Sequence, residues 1–295
     1  MEAVKATEEK LSRRMTVEQA FQEIAGNCLD QIRANRDAVA HQDDVEGLHQ
    51  MRVGLRRLNS ALDLFADFFS LPRKIRRDLD WLGQQLGAAR DWDVLRDSTL
   101  PHIAGLLGDV FQLQEIKTAA AAKSLEQHGI AARAVKSVRY QGLIRQFDHW
   151  LLRQGWRHAL PQTASLPLTA KIPGLAQDLL SHAQHRLLKR GKKLRDADPE
   201  ARHKVRIAAK KARYATEFFA SLLPKKAAKR YIKTLSGLQD TLGRLNDMAV
   251  AERLLKDLAL QHADLRESTS FIRGFLTAYT ESEAKKVLPS WKKIA

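Results

Sequence analysis

The sequence contains little of what identifies a disulfide-rich or membrane-spanning protein. Cys28 is the single cysteine in 295 residues, which excludes an intramolecular disulfide and a cysteine-rich metal site. No apolar run reaches the roughly 20 residues of a membrane span. The N-terminal stretch also lacks an apolar core of signal-peptide length. We therefore expect a cytoplasmic protein without a transmembrane segment.

Glycine and proline are also sparse, with 15 and 8 residues, and no segment alternates apolar with polar residues as a strand would. Apolar residues instead recur every three or four positions, which is typical of amphipathic helices. The clearest series is Leu48, Met51, Leu55, Leu58, Leu62, Phe65 and Phe69. The sequence therefore predicts an all-α protein, and it predicts that Cys28, which lies in a similar apolar pattern, is a buried structural thiol.

Acidic residues are too few to balance the basic ones. The chain has 34 Asp and Glu against 50 Lys and Arg, which gives a formal net charge of +16 and a pI near 10.1. Such an excess indicates a polyanionic partner. Nucleic acid, an anionic membrane surface and inorganic polyphosphate are all compatible with it.

Proline concentrates at one place, near the middle of the chain. Pro161, Pro167 and Pro173 interrupt the helical pattern there, which predicts an exposed linker over residues 158–173. We expect one domain over residues 1–295, with a first helical repeat at 16–157 and a second at 174–287.

The two sides of this linker repeat each other in order. HQMRVGLRRLNSALDLF (49–65) matches HKVRIAAKKARYATEFF (203–219), LPRK (71–74) matches LPKK (223–226), and LGAARDWDV (86–94) matches LGRLNDMAV (242–250). Asp44 and Asp198 are suited to cap the first pair of helices, and Pro199 is suited to a first helical turn. One unit of several helices therefore occurs twice.

The third repeated block predicts a tight turn between two antiparallel helices in each half. Gly87 and Gly243 are suited to end a helix, and Asp91 and Asp247 are suited to begin the next one.

The first repeated block carries a row of cations beside its apolar stripe. At about 100° per residue, His49, Arg52 and Arg56 lie within roughly 60° of one another. No acid occurs from residue 50 to 62, and none occurs from 201 to 216 around the matching row. Two bundles packed with pseudo-two-fold symmetry would present both rows, each roughly 10 Å long, to one basic central cavity. That lining is complementary to a chain of phosphates.

We predict two tiers of ligand-binding side chains. For an isolated histidine at the edge of a core, a structural role is the better interpretation, whereas two matched copies among cations favour binding. The first tier is His49, Arg52, Arg56, Arg57, His203, Arg206, Lys210, Lys211, Arg213 and Tyr214. The second tier is Arg33, Arg36, Arg90, Arg186, Lys189, Arg190, Lys193 and Arg244, of which Arg90 and Arg244 lie in the predicted turns. The local charge is +9 over residues 182–213 and zero over residues 28–59, so we expect the second half to supply more of the positive electrostatic field.

The repeated blocks HQMRVGLRRL and HKVRIAAKKARY, each followed by LG-x-x-[RN]-D, resemble the two halves of a CHAD domain, the conserved-histidine α-helical domain family. The resemblance covers most of the chain. It implies a helical domain that binds inorganic polyphosphate in a basic cavity or groove. By motif position it assigns binding to His49 and His203 with Arg52, Arg56, Arg57, Arg206, Lys210, Lys211 and Arg213. One departure is Asn59, which stands where the second half has Arg213.

Two other functions remain open. Nucleic-acid backbones also bind rows of Arg and Lys, although Tyr214 is the one good stacking candidate in the basic helices. A phosphohydrolase would need a carboxylate cluster, a phosphate loop or an activated nucleophile, and no paired carboxylates are apparent near the rows. The string ESEAK (281–285) fits the signature of CYTH phosphate-processing domains formally, but it lies in a helical stretch. We expect no enzyme activity, cofactor or metal, and a polyphosphate-binding protein could associate with storage granules.

Overall fold

The computed structural model describes residues 2–41, 45–108, 113–158, 168–196 and 199–294. Within these ranges the chain is helical and contains no β-strand, which confirms the all-α prediction. The helices are α1 (Val17–Ala34), α2 (Arg36–His41), α3 (Val45–Leu64), α4 (Arg73–Val94), α5 (Leu100–Leu107), α6 (Gln114–Lys136), α7 (Val138–Leu152), α8 (Ile172–Gly191), α9 (Pro199–Phe218), α10 (Lys225–Gln261), α11 (Arg266–Ala284) and α12 (Val287–Trp291). No helix in the described ranges is long and apolar enough to cross a membrane.

The helix starts follow local sequence signals. The Thr16 hydroxyl accepts a hydrogen bond from the Gln19 amide at 3.3 Å, and the Gln19 side chain accepts one from the Thr16 amide at 2.9 Å, so a capping box begins α1. As predicted, α9 begins at Pro199. The proposed caps Asp44 and Asp198 lie outside the described residues.

The predicted turns at Gly87 and Gly243 are wrong. α4 continues through Gly87 to Val94, and α10 runs through Gly243 for 37 residues, so Asp91 and Asp247 lie inside helices rather than at their starts. A glycine inside a helix costs about 1 kcal/mol relative to alanine. That cost is smaller than the gain from the apolar side chains that both helices bury on either side of the glycine.

The helix pairings of the two halves correspond. α1 packs along α3, as α8 packs along α9, and α4 packs on α6, as α10 packs on α11. Across the halves, α3 contacts α9 and α4 contacts α10. These pairings agree with a duplicated unit, and the two-fold relation between the halves stays a prediction.

The halves differ after the third repeated block. In the first half a π-helical turn at Leu95–Thr99 separates α4 from α5, whereas α10 continues as one helix. Pro101 lies in the first turn of α5. Because proline has no amide hydrogen to donate, the wider turn before it accommodates the missing hydrogen bond.

The halves share a hydrophobic core. Every residue of the predicted apolar stripe from Leu48 to Phe69 is buried, which confirms its helical period. Phe65 and Phe219 meet across the halves with ring centroids 6.2 Å apart. Cys28 is completely buried in the same core, and burial raises the pKa of its thiol to about 12. The predicted structural role of Cys28 is therefore confirmed.

The end of the predicted linker is instead part of the packed structure. α8 begins at Ile172, which is completely buried, and Pro173 lies in its first turn, a position that suits proline. The Ile172 amide donates to the Met15 carbonyl at 3.0 Å, which ties the start of α8 to the start of α1. Pro173 is therefore not in an exposed linker, and Pro161 and Pro167 lie outside the described residues.

Candidate polyanion-binding site

The two cation-bearing helices, α3 and α9, contact each other, and α3 also packs on α4 while α9 packs on α10. Arg57 in the middle of α3 meets Glu217 near the end of α9 at 3.3 Å. Asp63 near the end of α3 meets Lys211 further back along α9 at 2.8 Å. The helices therefore run in opposite directions, and their basic rows meet.

Charged side chains from three of these helices interact where the rows meet. We name the group the central cluster, which consists of His49, Arg52, Arg56, Arg90, Arg206 and Lys210. Each member is half-buried. The repeat pattern brings together Arg52, Arg56, Arg206 and Lys210 as predicted, and Arg90 joins them from α4.

The central cluster concentrates positive charge under partial burial. Burial, with repulsion from Arg206 and Arg56, lowers the pKa of Lys210 to about 7. Burial and the neighbouring Arg90 also lower the pKa of His49. The Nε–H groups of Arg56 and Arg206 are buried and have no hydrogen-bond partner in the described part of the chain. Burying these donors without acceptors, among charges of the same sign, costs free energy. An anion whose oxygens accept from the donors would reduce that cost.

Two carboxylates lie among these cations, and the sequence interpretation missed them. Burial raises the pKa of Asp91, which faces Arg52, and likewise the pKa of Asp247, which faces Arg206. The charge of Asp91 further raises the pKa of Asp247. The expectation of no paired carboxylates near the basic rows is therefore wrong. Their matched positions in the third repeated block are the sequence signal for this pair, and the helix-cap interpretation of both residues conceals it.

Gly87 makes room for one cation of the cluster. A Cβ atom at this position would lie 2.8 Å from Nη1 of Arg52, whereas a Cβ at Gly243 would have no neighbour within 4 Å. Gly87 therefore lets the Arg52 side chain lie against α4. This close approach explains a glycine inside α4 better than the predicted helix end does.

Four first-tier ligand residues have internal partners instead, and one of them is Lys211, which pairs with Asp63 at 2.8 Å. Arg57 is buried and bonds to the carboxylates of Glu9 and Glu217, and Arg213 pairs with Glu217 at 3.1 Å. Tyr214 is only 2% exposed, so it offers no stacking surface. The expectation of uncompensated charge therefore fails for Arg57, Arg213 and Lys211. Glu9 comes from the distant N-terminal segment, Glu217 lies one turn beyond Arg213, and Asp63 lies just past the acid-free part of α3.

The two histidines occupy different places. His49 is half-buried and lines a cavity of about 740 Å³ together with Arg56. His203 is exposed and lines another cavity, of about 630 Å³, together with Arg206. The central cluster contributes His49 and Arg56 to the first cavity and Arg206 to the second, and one basic cavity shared by both halves stays a prediction.

The second-tier cations of α8 form a surface of their own. Arg186, Lys189, Arg190 and Lys193 line a groove of about 650 Å³ with Lys204 of α9. Lys204 points roughly 160° around α9 from Arg206, so this groove lies away from the central cluster.

The remaining second-tier residues are dispersed. Arg33 pairs with Asp30 and Asp148, and Arg36 pairs with the adjacent Asp37, so both lie apart from the central cluster. Arg244 is exposed and pairs with Glu283 at 3.6 Å. The predicted turn location of Arg90 and Arg244 is wrong because α4 and α10 continue through it.

The fold and this site define a duplicated helical domain with a half-buried cationic cluster. The sequence model of the CHAD domain matches residues 23–256, and the chain belongs to the CHAD domain family. The crystal structure of the CHAD domain from the plant Ricinus communis is similar, with 36% identity, a TM-score of 0.88, and coverage of 99% of this chain and 96% of that one.

A more distant likeness shows the fold alone. PptA from Streptomyces chartreusis is 16% identical, with a TM-score of 0.68 and coverage of 95% of this chain and 99% of that one. The comparison with curated proteins found no match.

Proposed function

We propose that this protein binds inorganic polyphosphate through the central cluster and does not hydrolyse it. The observation that carries the proposal is the gathering of Arg56, Arg206 and Lys210, which repel one another and form no ion pair with a described carboxylate. A linear phosphate chain would relieve this repulsion and supply acceptors for the buried guanidinium donors. Association with polyphosphate-containing granules in the cytoplasm would follow from this ligand.

Nucleic acid is the weaker candidate ligand. Non-specific proteins bind single strands by combining a basic groove with aromatic side chains on which bases stack. Tyr214, the aromatic candidate of the basic rows, is buried against Phe218. The central cluster therefore offers charge to a backbone and no stacking from this tyrosine. We expect weaker nucleic-acid binding that falls steeply with salt.

A matched pair of double variants tests the site. Arg206→Ala with Lys210→Ala removes two cluster charges four residues apart. Lys226→Ala with Arg230→Ala removes the same two residue types at the same spacing from an exposed face of α10. In titrations with long-chain polyphosphate at about 0.15 M salt, where screening is substantial, we expect the first pair to weaken binding at least tenfold and the second less than threefold.

Two outcomes would contradict the proposed site or the proposed ligand. Equal losses in the two double variants would mean that net charge, and not the cluster, does the binding. RNA or DNA of equal charge binding as tightly as polyphosphate would make the ligand assignment wrong.

Asp91 and Asp247 favour a second candidate function, hydrolysis of polyphosphate, because two carboxylates in a basic site can hold Mg²⁺. Our proposal gives them a different role, as nearby negative charges that offset part of the repulsion around Arg52 and Arg206. We expect polyphosphate incubated with the protein and Mg²⁺ to keep its length. Shortening that Asp91→Asn abolishes would establish hydrolysis.

A further inference from the structure

A cavity of about 630 Å³ lies between α9, α10 and α11, beside the central cluster. We name it the α11 cavity, and its volume is in the usual range for small-molecule sites. Its floor consists of Leu242, Leu245, Met248 and Leu276. Arg206 belongs to both the α11 cavity and the central cluster, so the two sites are continuous.

The walls of the α11 cavity differ in charge. On the α9 side, Arg206 and His203 face it, next to the charge of the central cluster. On the α11 side lie Thr277, Thr280 and the carboxylate of Glu281. Asn246 and Glu252 of α10 also line the cavity beside its apolar floor. The cavity therefore has a cationic wall, an apolar floor and a wall of hydrogen-bond acceptors.

The first half of the chain provides an internal comparison. In the third repeated block, Trp92 matches Met248 and Asp93 matches Ala249. Trp92 is buried, and Asp93 is completely buried, where it accepts hydrogen bonds from Ser124 of α6 at 2.8 Å. At the matched positions the first half therefore has a large ring and a buried polar network, whereas the second half has Met248 and Ala249 beside an open cavity.

The polar network of the first half joins α4 to α6, whereas the α11 cavity lies beside the corresponding pair, α10 and α11. His128 of α6 lies 2.9 Å from Asp93, and Arg96 donates to Ser124 at 2.9 Å. α6 packs on α4 as α11 packs on α10. The open cavity is thus a difference between two related units, and the second has smaller side chains at the two matched positions.

A bare phosphate chain does not suit the whole α11 cavity. Glu281 would repel it, and the apolar floor offers its oxygens no donors. A ligand that suits all three sides has phosphates at one end and an uncharged ring with hydrogen-bond donors at the other. The thioether of Met248 is also a favourable neighbour for an aromatic ring.

We propose that the α11 cavity binds the nucleoside of a nucleoside polyphosphate. The phosphates lie on Arg206 and His203 and point toward the central cluster. The base lies on Met248 and the leucines of the floor, and its amino group or the ribose hydroxyls donate to Glu281. This inference goes beyond polyphosphate binding and rests on it only in sharing Arg206.

The test compares ATP with tripolyphosphate, which carries similar charge and no nucleoside, by calorimetry on the full chain. We expect ATP to bind at least tenfold more tightly. Ala249 is exposed at the cavity, so Ala249→Trp fills it without displacing the core. This variant should weaken ATP at least tenfold and change tripolyphosphate less than twofold. Ala227→Trp, at another exposed position of α10, is the matched control and should change neither.

ATP and tripolyphosphate binding with equal affinity would overturn the inference, as would an Ala249→Trp variant that binds ATP normally. This test can fail or succeed independently of the test of polyphosphate binding. If long-chain polyphosphate bound independently of Arg206 and Lys210 while Ala249→Trp still weakened ATP selectively, the proposed function would fail and the nucleoside site would stand. The reverse pattern would leave only polyphosphate binding.

Discussion

The protonation of Lys210 should make polyphosphate binding depend on pH. Its pKa is lowered to about 7 by burial and by Arg206, Arg56 and Arg213, with Asp247 opposing the shift. At pH 7 this amine is therefore about half charged in the free protein. A bound phosphate chain favours the charged form and should return the pKa toward the ordinary value for lysine. Ligand binding must then take up protons, and affinity must fall as pH rises through 7.

The magnitude follows from proton linkage. If Lys210 is fully charged in the complex at both pH values, affinity is proportional to its charged fraction in the free protein. That fraction falls from about one half at pH 7 to about one tenth at pH 8. We therefore expect roughly fivefold weaker binding at pH 8, which is about 1 kcal/mol, and uptake of about half a proton per bound site at pH 7.

The assay is calorimetric titration with long-chain polyphosphate, whose internal phosphates stay ionised over this range. Two buffers of different ionisation enthalpy give the proton uptake. Lys210→Arg is the control because its guanidinium stays charged, so its affinity should change by less than twofold between pH 7 and 8. The reasoning would be refuted if wild type and Lys210→Arg lost the same affinity over this pH step.

Two further predictions concern residues around the cluster. Arg57→Ala leaves the Glu9 carboxylate buried without its main partner, so we expect about 3 kcal/mol less stability in urea unfolding. An unchanged unfolding midpoint would contradict this. Gly243→Ala should gain up to about 1 kcal/mol of stability with unchanged polyphosphate affinity. Gly87→Ala should instead weaken binding severalfold because its new Cβ displaces the Arg52 guanidinium. Equal affinities of the two alanine variants would argue against that role of Gly87.

The helical class and the location of the basic rows could be predicted from the sequence because both depend on local patterns. The apolar period from Leu48 to Phe69 fixed one buried face, and the cations beside it followed from the same geometry. The repeated blocks then matched α3 with α9 and α4 with α10. These signals require no knowledge of distant contacts.

The pairing of each cation required the fold. Arg57 and Arg56 are adjacent in sequence, yet Arg57 turns toward Glu9 and Glu217 while Arg56 turns toward Arg206 and Lys210. An acid-free window around a row does not exclude acids brought there by another segment. The glycine error has a similar cause, since a helix end at Gly87 is a local preference that packing outweighs.

Two contacts that join the halves suggest an origin for the duplicated chain. They are the hydrogen bond from Ile172 to Met15 and the packing of Phe65 on Phe219. A single half would leave uncovered the side of Phe65 that faces Phe219. Phe219 is the repeat-related match of Phe65, so a second copy of the same half would offer the matching surface. A one-repeat ancestor would therefore have worked as a homodimer. Fusion of two such copies would free each half to change alone, and the two halves do differ, with a buried Trp92 and Asp93 network in the first and the open α11 cavity in the second.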